Sequence, residues 1–408
     1  MIDTISGAVS LYIYHYRDKK YYLFGDRHGT RQNSCYKKGL SCDAFNYNFT
    51  STTNANTNCT TLGALFHNWF NYNNHHHIKT DFYIEEYYTK EDEREEAQEY
   101  IDILSKRTTI NTHEGEPFKD KSWMEILPYV MSACFVKNKS NCPYNPYVHL
   151  HYVDVRTILT PQGLINITPF SIYHLLEYMD EHQPTTIEAL DLLRQETLGV
   201  IDFIVKNYRT LLGYLLFDGL EKYKTLLLTT NSAFVLPLID NVQYFTKNGM
   251  LKVAHELQRL SLDPFIYDQL ILYIDDMVDK NLNDIYKYEE SIKENIRKYN
   301  LLKKRNLLKT RGLRRGYQDL QTIVKGYDLL FIHLDAILMD VYTLSRMFIQ
   351  DGEEVIVYAG AYHINLYHQF FNRLTTPLLS IPYDKNTSCL TDPSIPLYIH
   401  VDRFKMMD

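Results

Sequence analysis

Two turns of the same form, in which a histidine follows a glycine by three residues, lie near opposite ends of the chain. Gly25 and His28 follow one short apolar run, and Gly360 and His363 follow another. Glycine allows a sharp turn and a close approach of the backbone, and open α/β sheets bind ligands at the carboxyl ends of their parallel strands. A histidine at that edge can act as a general base or a metal ligand. We therefore predict that His28 and His363 contribute to one site.

Charged side chains follow two further predicted strands. Glu85 and Glu86 come directly after the run Asp81–Ile84, and strand alternation does not decide which of the two faces the site. A carboxylate there can orient a histidine, ligate a metal or act as a general base. Asp154 and Arg156 end a fourth predicted strand and share one of its faces. They form either an ion pair or a clamp for a substrate carbonyl or anion.

The elements that must position these residues are strands at both ends of the chain and helices between them. Residues 9–24 contain two aromatic and β-branched runs around a charged turn, which predicts a hairpin. From about 168 to 350 the apolar period of 3.6 predicts helices, and a strand pattern follows. The expected fold class is α/β, with a mixed, largely parallel sheet flanked by helices and a large all-helical insertion. The core domain would comprise 1–165 and 326–408, and the insertion 166–325 would serve as a lid.

The composition excludes several classes of protein. The 408 residues carry a net charge of -7, so no bulk cationic surface attracts nucleic acid and no nucleic-acid partner is expected. No run of about eighteen uncharged apolar residues occurs, so no membrane span is expected. The first residues lack a signal-peptide pattern. Six cysteines without a Cys-x-x-Cys pair favour reduced thiols and a cytoplasmic location, and the sequence leaves the oligomeric state open.

In their order and context the motifs resemble those of the superfamily that unites the TIKI and TraB/PrgY proteins, GumN-like proteins, the erythromycin esterases and the ChaN-like haem-binding proteins. Those proteins share two Gly-x-x-His motifs, near the start and the end of the domain, with a glutamate between them. In chain order, the matching residues here are Gly25 and His28, then Glu85 or Glu86, then Gly360 and His363. The resemblance covers the two ends of the chain and leaves out the helical insertion.

Three further features extend or limit this resemblance. The helix before the second motif carries polar residues in the family, and here it holds Tyr342 and Arg346, one turn apart. TIKI-type members are membrane-anchored or secreted, whereas this sequence shows neither pattern, and Asp26 stands where many relatives have glutamate. The chain is also similar in composition and architecture to hypothetical proteins of large DNA viruses, which implies a viral protein in the host cytoplasm or the virion.

The resemblance implies a hydrolase that activates water with paired histidines and a glutamate, and that cleaves an ester, amide or lactone-like bond of a small-molecule or peptide substrate. Esterase-like relatives imply a histidine base without a metal, and TIKI-like relatives imply metalloprotease chemistry with a divalent Mn, Co or Zn ion. The metal ligands would be His28, His363 and Glu85. The side chains that bind substrate or stabilise an oxyanion would be Asp154, Arg156, Tyr342 and Arg346.

Two other functions stay open for the same residues. A catalytically inactive family member could serve as a structural or interaction protein, associated with a virion. The histidines could instead bind haem or a metal, as the ChaN-like relatives imply. The placement of His28, His363 and the glutamate separates these alternatives, because a hydrolase requires all three side chains to converge in one open pocket.

Overall fold

The chain divides into two compact units, one of residues Met1–Asp154 and Arg346–Asp408 and the other of Val155–Ser345. The computed structural model describes residues 4–27, 59–85, 127, 144, 146–155, 157–160, 163–166, 172–181, 183–218, 220–230, 251–304, 310–383, 389–392, 395 and 399. Three of the predicted site residues, His28, Glu86 and Arg156, lie outside these ranges. None of the helices within the ranges is long and apolar enough to cross a membrane.

The first unit is built on a six-stranded mixed sheet. In chain order the strands of the protein are β1 (Thr4–Ser6), β2 (Ser10–Tyr16), β3 (Lys19–Asp26), β4 (Cys59–Thr61), β5 (Thr80–Ile84), β6 (Val148–Tyr152), β7 (Thr157–Thr160), β8 (Gly163–Asn166), β9 (Glu354–Gly360), β10 (Leu379–Ile381) and β11 (Cys389–Thr391). The large sheet has the order β10-β2-β3-β9-β5-β6, and β11-β1-β4 form a small second sheet. The pairs β3–β9, β9–β5 and β5–β6 are parallel.

These pairings confirm the predicted α/β class and the predicted hairpin. Strands β2 and β3 pair in antiparallel fashion from Ser10 opposite Gly25 to Tyr16 opposite Lys19. Strand β9, with the sequence Glu-Val-Ile-Val-Tyr-Ala-Gly, is buried at every position, as expected of a continuous apolar run in the centre of a parallel sheet. The four parallel strands were predicted to share one sheet, and their carboxyl ends do lie at one edge.

Helices flank this sheet and make up most of the second unit. In chain order they are α1 (Leu62–His75), α2 (Tyr173–Glu181), α3 (Ile187–Gly213), α4 (Leu220–Leu228), α5 (Leu251–Leu260), α6 (Pro264–Lys304), α7 (Thr310–Ile349) and α8 (Ala361–Phe371). On one face of the sheet, Phe66 of α1 contacts Phe24 and Phe82, with ring centroids 5.4 and 5.0 Å apart. On the other face, Phe371 of α8 contacts Tyr21 at 4.8 Å. Aromatic rings therefore pack against both faces of the sheet.

The second unit is helical apart from one short hairpin. Strands β7 and β8 pair in antiparallel fashion, and the described residues from 172 to 325 contain no strand. Helix α3 begins after a capping residue, because the Thr186 hydroxyl accepts a hydrogen bond from the Ala189 amide at 3.1 Å. A π-helical turn, Tyr214–Asp218, continues α3. The final turn of α7 belongs to the first unit.

Helices α6 and α7 approach each other closely where Tyr288 lies against Gly326. The Tyr288 hydroxyl donates to Ile323 O at 3.1 Å, and a Cβ atom added at Gly326 would overlap the tyrosine ring. We predict that Gly326→Ala lowers the free energy of unfolding by about 1–3 kcal/mol, because ring and helix must separate. The matched control is Gly199→Ala in α3, where no atom lies within 4 Å of the added Cβ. Gly199→Ala should raise the free energy of unfolding by up to about 1 kcal/mol, as measured by urea denaturation. Equal effects of the two variants would contradict the prediction.

Candidate active site

The two Gly-x-x-His turns begin side by side at the carboxyl edge of the sheet. Strands β3 and β9 pair in parallel, with Gly25 opposite Ala359, the residue before Gly360. Paired strands lie about 4.8 Å apart, so the two turns leave neighbouring strands at nearly the same level. His363 lies in the first turn of α8, and the side chain of His28 is outside the described residues. The glycines of the two motifs therefore lie on neighbouring strands, one register position apart.

Glu85 joins the end of β5 to the second turn. Its amide donates to Tyr358 O at 3.0 Å, which continues the pairing of β5 with β9 by one residue. Its carboxylate accepts a hydrogen bond from the Gly360 amide at Oε2, 2.6 Å away, and Oε1 lies 3.3 Å from His363 Nε2. The side chains of Glu85 and His363 are only 6% and 7% exposed. A carboxylate at this distance orients the imidazole and favours the tautomer that carries its proton on Nε2.

Position 25 must be glycine because β2, β3 and the start of α8 approach one another closely there. A Cβ atom at Gly25 would overlap the Ser10 hydroxyl of β2 and lie 3.1 Å from Ala361 Cα at the start of α8. The first motif glycine thus lets the helix that carries His363 pack directly against β3. Its role is close packing, since Gly7 is the one glycine with a positive φ among the described residues.

We predict that Gly25→Ala destabilises the first unit by about 1–3 kcal/mol, because the new methyl group forces Ser10 or α8 to move. Adding Ser10→Ala should recover part of this loss, since it removes the overlapping hydroxyl but leaves the contact with Ala361. Thermal unfolding of the single and double variants measures both effects. A Gly25→Ala chain as stable as the wild type would contradict the packing argument.

Asp26, the residue after the first glycine, faces the opposite side of the sheet from Glu85. It is buried and lies beside the hydroxyl of Tyr358, which donates to Gly7 O at 3.2 Å. Burial, reinforced by the Asp26 carboxylate, raises the pKa of Tyr358 far above its usual value. Asp26 and Tyr358 therefore form a polar contact beneath the carboxyl edge, on the α1 side.

A second polar cluster lies on the same face of the sheet as Glu85. His151 Nε2 donates to Asp81 Oδ1 at 2.7 Å, and an Arg346 Nη atom donates to His151 Nδ1 at 3.2 Å. The Gly352 amide donates to Asp81 Oδ2 at 3.0 Å, and His149 Nδ1 lies 3.6 Å from Asp81 Oδ1. Burial alone would raise the pKa of Asp81, but the hydrogen bonds and charges of the two histidines outweigh it and hold that pKa well below the usual range.

Tyr83 lies between Asp81 and Glu85 along the chain. Its ring stacks on His151 with centroids 4.6 Å apart, and its hydroxyl donates to Arg346 O at 3.2 Å. Residues 81, 83 and 85 alternate along β5 and share one face. His151 is the register partner of Tyr83, so it stands two residues, about 7 Å, before the level of Glu85.

The remaining predicted residues are distributed as follows. Asp154 is half-buried just after β6, and Arg346 lies in the last turn of α7, where it contacts His151. Tyr342 is buried one turn earlier in α7 and belongs to the second unit. Asp81 and His151 were not predicted as site residues. Strand alternation places Asp81 on the same face of its strand as Tyr83 and Glu85, and it places His151 on the same face of its strand as His149.

The donor atoms at the carboxyl edge offer two of the ligands that a metal ion would need. Glu85 Oε1 and His363 Nε2 are 3.3 Å apart, a separation that suits either a hydrogen bond or two neighbouring ligands of one ion. Within the described ranges no group of three His, Cys, Asp or Glu side chains is arranged to hold a metal. The third predicted ligand, His28, lies outside those ranges.

The comparisons with known proteins gave no relative. No family model matches the chain, and neither a curated protein nor a solved structure is significantly similar to it. The side chains that could carry a function at the carboxyl edge are a buried glutamate after β5 and, in contact with it, a buried histidine in α8, the helix that follows β9, the neighbour of β3.

Proposed function

We propose that the protein is a hydrolase in which Glu85 orients His363 to activate water against an ester, amide or lactone-like bond. The observation that carries the proposal is the contact of Glu85 Oε1 with His363 Nε2, 3.3 Å apart, at the edge where β3, β9 and β5 end. The order of the two Gly-x-x-His motifs and the glutamate supports it as a resemblance to the TIKI and erythromycin esterase superfamily.

The chemistry follows from the tautomer that Glu85 favours. With its proton on Nε2, directed at Glu85, His363 keeps a basic lone pair on Nδ1. That nitrogen takes a proton from water as the water oxygen attacks the substrate carbonyl, and the Glu85 carboxylate stabilises the resulting imidazolium. The proton then passes to the leaving group, which restores the neutral imidazole. His28, three residues after Gly25 in the chain, is proposed to hold the substrate or the developing oxyanion.

One observation favours a second candidate, a catalytically inactive protein in which this pair is structural. The side chains of Glu85 and His363 are 6% and 7% exposed, which suits a buried polar contact that holds α8 on the sheet. In that case replacement of His363 would lower stability and no turnover would exist to lose. In an enzyme, replacement would remove turnover from a chain that still folds.

The test is a screen of the full chain against 4-nitrophenyl esters, lactones and short peptides, each with wild type and His363→Gln. Glutamine is close to histidine in size, so it limits the cavity left at this buried position. His368→Gln in the same helix is the matched control, because His368 stacks on Tyr12 with centroids 3.9 Å apart and has no place in the proposed chemistry.

We expect turnover in wild type and His368→Gln, and a loss of about 100-fold or more in His363→Gln. Absence of turnover on every substrate, with His363→Gln less stable than wild type, would favour the structural candidate. A chelator that removes activity, with recovery on adding Mn, Co or Zn, would contradict the general-base form. It would assign Glu85 and His363 as metal ligands instead.

A further inference from the structure

The second unit contains a cavity of about 800 Å³ beside the π-helical turn that continues α3. Helix α5 packs against this turn, and α6 follows α5 after a short connection. Leu216 and Leu257 are buried residues of the lining, and the rings of Phe217 and Tyr267 also line the cavity. Binding sites for small molecules generally have volumes of about 300–1,000 Å³ and mostly apolar walls. The cavity therefore has the size and the lining of a small-molecule site.

The π-helical turn brings apolar surface to this cavity. It follows Gly213, the last residue of α3, and the consecutive leucines Leu215 and Leu216 within it are both buried. The next residue, Phe217, lines the cavity and is nevertheless 54% exposed. Such turns are rare, and many of those known lie at functional sites. A ligand in the cavity would take part of the Phe217 ring out of water, and that transfer favours binding.

The charges at the cavity favour an anion at its rim. Among the described residues, the lining includes the exposed side chains of Lys252 and His255 and no carboxylate. Glu256, the acidic residue of α5, is buried and accepts a hydrogen bond from Arg259 at 2.9 Å. A negative head group at the rim therefore meets the positive charge of Lys252 and no negative charge of the lining. Such a head group stays in water, so it needs no hydrogen-bond donor that another group of the chain already uses.

We propose that this cavity binds an amphipathic monoanion of the fatty-acid type, with its apolar chain inside the cavity and its head group in water near Lys252. The chain would contact Leu216, Phe217 and Leu257. Burial of the chain provides most of the affinity, and the charge at the rim selects an anion over a cation. The site lies within the second unit, and the proposal does not depend on the hydrolase function of the Glu85–His363 pair.

The experiment is a calorimetric titration of the full chain with three probes: decanoate, octanoate and decylammonium, each below the concentration at which it forms micelles. Wild type should bind decanoate at a single saturable site. Octanoate should bind about tenfold more weakly, because two fewer methylene groups are buried. Decylammonium, which has a chain of equal length, should bind at least about fivefold more weakly than decanoate, because its head group carries the same charge as Lys252.

Two pairs of variants locate the binding site. Phe217→Ala should weaken decanoate binding by about fivefold, because it removes apolar surface from the lining. Its matched control is Leu262→Ala, because Leu262 is 88% exposed but does not line the cavity. Ala254→Trp places a large ring at the lining and should weaken binding by about tenfold or more. Its matched control is Ala189→Trp, at an exposed alanine of α3. Both controls should bind decanoate as wild type does.

The preference for an anion has its own test. Lys252→Gln should bring the affinities for decanoate and decylammonium together, and about 1 M sodium chloride should do the same in wild type, because salt screens charges in water. The difference between decanoate and octanoate should persist in both cases.

Four results would overturn the proposal. They are the absence of saturable decanoate binding, equal binding of decanoate and octanoate, equal binding of decanoate and decylammonium, and equal affinities of Phe217→Ala and Leu262→Ala for decanoate. Thermal unfolding confirms that each variant is folded. If Ala254→Trp is unfolded, the comparison of Phe217→Ala with Leu262→Ala decides, because both changes are at exposed positions.

Discussion

Glu85→Gln should lose hydrolytic activity by about 10²–10⁴-fold while its unfolding free energy stays within about 1 kcal/mol of wild type. The glutamine carbonyl can still accept the hydrogen bond from the Gly360 amide, which Glu85 accepts at 2.6 Å. Its side-chain amide nitrogen would then replace Oε1, which lies 3.3 Å from His363 Nε2 in the wild type. The amide would donate a hydrogen bond to that nitrogen. The imidazole would shift its proton to Nδ1, and the basic lone pair would no longer face the substrate.

The measurement is kcat for wild type and Glu85→Gln on the best substrate of the screen, with unfolding followed in parallel. Glu353→Gln is the matched control, because Glu353 is exposed just before β9 and its Oε1 accepts a 3.3 Å bond from the Lys79 amide. Full activity in Glu85→Gln would show that the carboxylate has no role in orienting the histidine.

Glu354→Ala should destabilise the first unit by about 3 kcal/mol or more. Glu354 is buried at the amino end of β9, and its Oε2 accepts from Trp69 Nε1 at 2.9 Å and from Asn73 Nδ2 at 2.7 Å. The Tyr22 hydroxyl lies 3.5 Å from Oε1. Removing the carboxylate leaves two buried donors without this acceptor, at about 1–3 kcal/mol each, and opens a cavity beneath α1.

Urea denaturation monitored by intrinsic fluorescence suits this test, because Trp69 is one of only two tryptophans in the chain. Glu354→Gln should cost less, since its carbonyl can still accept one of the two bonds. Glu353→Ala, the exposed neighbour, should change stability by no more than about 0.5 kcal/mol. If Glu354→Ala and Glu353→Ala unfold at the same urea concentration, the buried acceptor contributes little.

The strands and their common edge could be predicted from the sequence because their signals are local. The hairpin of β2 and β3 follows from two short aromatic and β-branched runs around a charged turn. The buried run of β9 and the glycine after it mark a central parallel strand whose end faces a ligand edge. The glycine after β9 pointed to His363, and the run that forms β5 pointed to Glu85 or Glu86 without deciding between them. Glu85 is in contact with His363.

The cluster of Asp81, His151 and Arg346 could not be predicted in the same way. The residues are 70 and 195 positions apart along the chain, and their contact depends on the register of β5 with β6. A slip of one residue would move every side chain to the other face. The division of the two units at 345 and 346 also falls inside α7, where an uninterrupted helical period gives no boundary signal.

The proposed function depends most on whether Glu85 holds His363 as a neutral base with its proton on Nε2. Nitrogen-15 NMR of the full chain, labelled at its sixteen histidines, tests this directly, with the His363 signals identified by their loss in His363→Gln. We predict a neutral His363 protonated on Nε2 near pH 7, and a shift of the proton to Nδ1 in Glu85→Gln. A wild-type His363 protonated on Nδ1, with a bare Nε2 facing Glu85, would contradict the account.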